Sequence, residues 1–108
     1  MALQVAELSL ELIETLRPLV PRIKAKDKSL ADQIMRSASS IALNIGEAEL
    51  SDPGNRRARF FTAAGSAGET YAAVRVAIAW RYFPAKEGET AVALLKRIIA
   101  ILWKLTRG

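Results

Sequence analysis

Apolar residues recur at helical spacing in four separate stretches of this chain, and no stretch shows the two-residue alternation of a half-buried strand. That pattern predicts an all-α fold. Each stretch is bounded by recognisable start and stop chemistry. The first runs from Leu3 to Arg17, where Pro18 and Pro21 interrupt it, because proline lacks an N–H and restricts the residue before it. A loose turn is expected through Lys28. The second begins at Ser29, whose hydroxyl can cap the helix with Asp32 three residues on, and it extends to Glu49. In the third, Asp52 reads as the N-cap and Pro53 as the first helical position, where a missing N–H costs nothing, and the helix reaches Tyr82. Pro84 and Gly88 mark the last connection. Glu87 and Glu89 then suit the positive end of a final helix running to Thr106.

Connections this short place successive helices side by side in alternating directions, an antiparallel up-down-up-down four-helix bundle. With 108 residues, 51% of them hydrophobic, residues 1–108 are expected to form one domain. The run Ala63 to Gly68 in the third segment and Ser37 to Ser40 in the second are poor in bulk. Because glycine costs up to ~1 kcal/mol inside a helix, close packing of these two helices is the expected compensation.

The chain contains no cysteine and no histidine, which removes disulfides, thiolate chemistry and the commonest proton shuttle. No cofactor or metal site is expected. The best case for an enzyme places Mg²⁺ on Glu7, Glu11 and Glu14, as in all-α nucleotide pyrophosphohydrolases. Those enzymes need a second carboxylate pair on a facing helix, and Glu47 and Glu49 cannot share one helical face. Di-iron bundles and the helical ribonucleases with an Arg–His motif both need histidine. A non-enzymatic protein is therefore expected. The first segment is acidic and lacks the basic start of a signal peptide, and no apolar run approaches the ~18 residues of a membrane span, so a cytoplasmic protein without a membrane partner is expected.

The final segment spreads Leu94, Leu95, Ile98, Ile99, Ile101, Leu102, Trp103 and Leu105 over a wide sector, and the first does likewise with Val5, Leu8, Leu10, Leu12, Ile13 and Leu16. A helix with two apolar faces has two partners. A wide seam within one subunit is one reading, and a subunit interface in a homo-oligomer is the favoured one. The remaining strip of the final segment carries Lys96, Arg97, Lys104 and Arg107, and the third segment opens with Arg56, Arg57 and Arg59. Cations at a helix N-terminus oppose the macrodipole, so another interaction should favour them. Phosphate is one candidate; pairing with Glu47, Glu49 and Asp52, or plain solvation, is the other. The net charge of +5 makes RNA or DNA a plausible partner. Trp80, Tyr82 and Phe83 are the aromatics considered for base stacking, and sequence-specific readout is not expected. On the second segment Gln33, Arg36, Ser40, Asn44 and Glu47 form a polar stripe that Glu69 of the third could meet, as a structural network rather than a ligand site.

The stretch from Asp32 to Glu47, with Gln33, Arg36, Ser37, Ala38, Ser40, Asn44 and Glu47, resembles the first signature block of the bacterial four-helix bundle proteins encoded within intervening sequences of large-subunit ribosomal RNA genes. Phe60 or Phe61 followed by Ala64 to Glu69 is similar to the second block, and the resemblance spans Leu3 to Leu105. Ala48 departs from the glycine usual there. The resemblance implies a homopentameric ring, and it extends to the accessory variability proteins of diversity-generating retroelements, which are basic and work with a reverse transcriptase and its RNA. It assigns no definite activity. Two functions are expected from these readings: a non-enzymatic oligomer binding nucleic-acid backbones, and, as the alternative, a scaffold or accessory subunit for a protein partner.

Overall fold

A computed structural model describes residues 1–107. The described chain is all-α: α1 (Ala2–Leu16), α2 (Val20–Lys26), α3 (Lys28–Glu49), α4 (Pro53–Ala79) and α5 (Ala85–Arg107). Among the described residues there is no strand. Helix α1 packs on α3 and α5, α3 on α4, α4 on α5, and α2 lies against α3. Buried apolar residues from all five helices form one cluster. The result is a helical bundle 42 Å long, about the length of α4 at 1.5 Å per residue.

The segment expected as a loose turn is instead the short helix α2. Proline breaks the hydrogen-bond ladder of α1, but Pro21 falls in the first turn of a new helix, where no N–H is required. Leu19 and Ile23 are buried and draw this piece onto α3. The cap of α3 is Asp27 rather than Ser29: its backbone is extended, and its Oδ1 accepts from the Leu30 N–H at 3.0 Å. Asp32 is then free to pair with Lys28, one turn earlier, at 3.0 Å. At α4 the expected cap holds, with Asp52 Oδ1 accepting from the Asn55 N–H at 3.0 Å and Pro53 opening the helix. That backbone N–H, with the Asn55 side-chain amide, holds the Asp52 carboxyl below the usual aspartate range.

Helix α4 ends at Ala79, short of Tyr82, because Arg81 adopts a left-handed φ of 59°. The Arg81 N–H donates to Ile78 O at 3.0 Å and the Tyr82 N–H to Ala77 O at 3.1 Å. Those two bonds make a Schellman C-cap, with arginine where glycine is usual. The Tyr82 hydroxyl lies 3.4 Å from Asp27 Oδ2, and burial, with that carboxylate, raises its pKa above the usual tyrosine range.

The apolar sector of α5 is largely consumed inside the chain. Leu94, Leu95, Ile98 and Leu102 are buried, and Ile99, Ile101 and Leu105 pack partly against the core, because α5 lies between α1 and α4. Its two partners are intramolecular. The large apolar side chains left exposed are elsewhere: Met35 and Leu43 on α3, Leu50 just after it, Met1, Leu3 and Leu10 at α1, and Phe61, Val76 and the C-cap Trp80 at α4, with Trp103 the exception on α5.

The glycines also part from expectation. Ala63, Ala67 and Thr70 face inward, while a Cβ on Gly65 or Gly68 would meet nothing within 4 Å. Gly88 is the tight position: a Cβ there would lie 2.8 Å from both Ile78 Cδ1 and Phe83 Cε1, between α5 and the end of α4. Gly88→Ala should therefore lower the melting temperature, overpacking by about 1–3 kcal/mol exceeding the propensity gain. Gly65→Ala should raise it, since only the helix-propensity difference of about 1 kcal/mol operates there. Thermal unfolding of the two variants beside the parent checks both signs.

Candidate nucleic-acid interface

The N-terminus of α4 and the C-terminus of α5 are joined by one side chain. Arg57 Nε donates to the Thr106 carbonyl at 2.8 Å, satisfying an end carbonyl of α5 and placing its positive charge at the negative pole of that helix. The same guanidinium stands 5.7 Å from the centre of the Phe61 ring, and Phe61 meets Trp103 edge-on at 6.3 Å. Arg59 is also committed, to Glu47 of α3 at 2.8 Å. These contacts answer why arginines open α4 against its dipole: two of the three have protein partners. Arg56 forms no ion pair among the described residues and lies over Phe60 at 5.8 Å.

Lys104 and Arg107, in the last turn of α5, are exposed and share this end with Arg56. A shallow cleft of about 330 Å³ between the two helix ends is lined by Ser51, Pro53, Arg56, Arg57, Phe60 and Leu105. Phe61 and Trp103, 45% and 48% exposed, add aromatic surface. Sequence reasoning passed over both as stacking residues, because one sat in a small-residue run and the other in an apolar helix face. Their signal was the arginine four residues before Phe61 and the lysine beside Trp103, which only the fold brings together.

Lys96 and Arg97 do not join this cluster. Both are exposed further up α5, Lys96 about 12 Å from Lys104 along the helix, in a cleft with Arg75, Ile78, Val92 and Glu89. A more apolar groove of about 310 Å³, lined by Ile13, Leu16, Val20, Pro21, Ile34 and Met35, holds Arg17 as its one cation and is built from α1, α2 and α3. Among the described residues no group of acidic side chains is arranged to hold a metal ion, and no helix is long and apolar enough to cross a membrane.

The expected polar network is differently composed. Thr70, fully buried, has its Oγ1 2.7 Å from Ser37 Oγ and 2.8 Å from Ser66 O; Ser40 Oγ is 2.8 Å from Ser66 Oγ; and Asn44 Nδ2 donates to Ser40 O at 2.9 Å. Of the residues expected there, Ser40 and Asn44 take part. Gln33 is half-buried, Arg36 is exposed, and Glu47 serves Arg59 on the surface. Glu69 is exposed too: it sits one residue, or 100° of helix rotation, from the Thr70 that faces α3.

The profile of the 23S rRNA-intervening sequence proteins matches residues 1–104. This chain belongs to that family. In structure it is similar to a protein of unknown function from the S23 ribosomal protein family of Bacteroides thetaiotaomicron, with a TM-score of 0.87 over 96% of this chain and 99% of the other, at 24% identity. That likeness speaks to fold alone. No curated protein matches the chain in sequence. Within the 23S rRNA-intervening sequence fold, the hydroxyl seam is expected to matter for stability: Thr70→Val should cost about 1–3 kcal/mol by removing the buried hydroxyl that meets Ser37 Oγ and Ser66 O. For a chain of this size each kcal/mol is a fall of roughly 4–8 °C. Glu69→Ala should change the melting temperature little. Equal losses in the two variants would return Glu69 to the network.

Proposed function

We propose that this protein is a non-enzymatic, cytoplasmic homo-oligomer of antiparallel four-helix bundles, α2 being an appendage of α3, and that it binds nucleic-acid backbones at the junction of α4 and α5. The observation carrying this reading is the Arg57–Thr106 contact, which gathers Arg56, Lys104 and Arg107 at one end beside Phe61 and Trp103. Cations without acidic partners are available to phosphates, whereas Arg57 and Arg59 hold the surface in shape. Lys96 and Arg97 extend the positive strip along α5 and contribute through longer-range attraction. The family takes its name from 23S rRNA intervening sequences, so RNA is the first probe. Binding of this kind is weakly sequence-selective and strongly salt-dependent.

The assembly half of the proposal, with five subunits favoured, rests on Met35, Leu43 and Leu50, which fall at steps of eight and seven residues on one face and are 52%, 64% and 91% exposed. Symmetry would repeat the basic end in every subunit and add weak contacts on a long strand. Exposed apolar residues on this face equally support the second reading, a scaffold for another protein.

Two measurements check these points. A triple variant Arg56→Gln/Lys104→Gln/Arg107→Gln should retain its melting temperature and bind long RNA more weakly at low salt. Its slope of log affinity against log salt should be shallower by roughly 0.7 per lost phosphate contact. Equal affinity in parent and variant would remove the nucleic-acid reading and leave the scaffold. Separately, Leu43→Glu should convert the oligomer seen by light scattering to a smaller species, whereas a parent protein already monomeric at micromolar concentration would overturn the assembly.

A further inference from the structure

The opposite end of α4 carries a second surface of the same chemistry, and it is built at a cost. Trp80 caps α4 with its side chain 67% exposed, leaving a large aromatic in water. The next residue, Arg81, holds the left-handed conformation that glycine adopts without steric penalty and an arginine side chain does not. Neither choice serves the cap, which glycine would complete with less strain. Backbone bonds from Arg81 to Ile78 and from Tyr82 to Ala77 fix the corner. Tyr82 reaches Asp27, and that contact brings the end of α2 alongside. Lys24 and Lys26 stand in the last turn of α2, and like Arg81 they enter no ion pair among the described residues, whereas Arg22 is spent on Glu87 and Lys28 on Asp32. An exposed indole next to Arg81, on a turn that Tyr82 and Asp27 tie to the lysine-bearing end of α2, fits a ligand with a flat π-face and negative charge close to it.

We propose that the Trp80–Arg81 corner, with Lys24 and Lys26, binds single-stranded nucleic acid, one base stacking on the Trp80 indole and the cations meeting the adjoining phosphates. Stacking requires a base free of its neighbours, so a duplex does not satisfy this site. The site shares its ligand class with the reading given above, but no residue of the α4–α5 junction takes part in it. Along α4 the two are about 36 Å apart, from Arg56 to Trp80 at 1.5 Å per residue. At 3.4 Å per stacked nucleotide, a strand of roughly ten nucleotides spans them. Trp80 therefore gives the molecule a preference for single strands, and the second contact makes affinity rise with strand length.

The chain has two tryptophans, so a Trp103→Phe background leaves Trp80 as the single indole while keeping an aromatic ring at the other end. In that background, a labelled 20-nucleotide oligo(U) and a 20-base-pair duplex are titrated at low salt, with Trp80 fluorescence and label anisotropy read together. Oligo(U) should quench Trp80 and the duplex should not. Trp80→Ala in the parent chain should weaken oligo(U) binding by roughly 5- to 150-fold and leave the duplex unaffected. Arg81→Gly should keep or raise the melting temperature while reducing the salt slope for oligo(U) by roughly 0.7. Binding of oligo(U) by anisotropy with unchanged Trp80 emission would overturn this site and leave the Arg56 surface standing. Absence of any anisotropy change with either ligand would overturn both. A Trp80 emission that shifts with protein concentration and ignores oligo(U) would assign the corner to contact between copies of the chain, and overturn the proposal.

Discussion

The seam between α3 and α4 governs the rest of the molecule. Two helices approach closely only where their facing side chains are small, and here Ser37 and Ser40 meet Thr70 and Ser66, with Ala63 and Ala67 buried on α4 beside them. Small apolar faces bury little area, so dispersion alone holds them weakly. Hydroxyls supply direction: each bonds across the seam or back to its own helix, and among the described residues no buried side-chain polar atom lacks a partner. A seam of this kind fixes rotation and register together, because a slip of one residue would bury Glu69 or strand Thr70 against carbon. The large residues of α1 and α5 can then fill the remaining space in one arrangement.

Charge is organised on top of that frame. The chain is basic, and its cations include two groups that composition cannot separate. Arg57, Arg59, Arg22 and Lys28 are committed to a carbonyl or a carboxylate and join helices or turns of a helix. Among the described residues Arg56, Lys104, Arg107, Arg81, Lys24 and Lys26 form no ion pair, and they gather where helices end. An exposed ion pair contributes at most ~1 kcal/mol, so the committed group matters more for where it points its neighbours than for its own energy.

Much of the fold was legible because its signals are local. Asp52 followed by Pro53 announces a helix start regardless of what surrounds it, and the 3.6-residue period of Leu8, Leu12 and Leu16 needs no tertiary context. What escaped depended on facts between helices. Pro18 and Pro21 looked like a break, and Pro21 lies in the opening turn of α2. The choice between Asp27 and Ser29 as cap turned on one extended backbone conformation. Small residues at 63–68 were correctly tied to close packing, but their period could not say whether Gly65 or Ala67 faced inward. At the candidate site the arginines were found and their partners were not, since Thr106 lies 49 residues from Arg57 and offers only a backbone oxygen.

Asp27 bears on how the chain folds. Its N–H closes the last turn of α2 on Ile23 O at 2.7 Å, its Oδ1 opens α3, and its Oδ2 meets Tyr82 from 55 residues away. A seven-residue helix has no persistence of its own in water, since nucleation outweighs so few hydrogen bonds. The lifetime of α2 is thus borrowed from its neighbours, and one carboxylate makes the loan conditional on both. Leu19 and Ile23 hold α2 on α3 and Asp27 ties its end to Tyr82, so opening of α2 should expose the first turn of α3 at the same moment. Local unfolding in this corner is a single cooperative event rather than the fraying of one short helix.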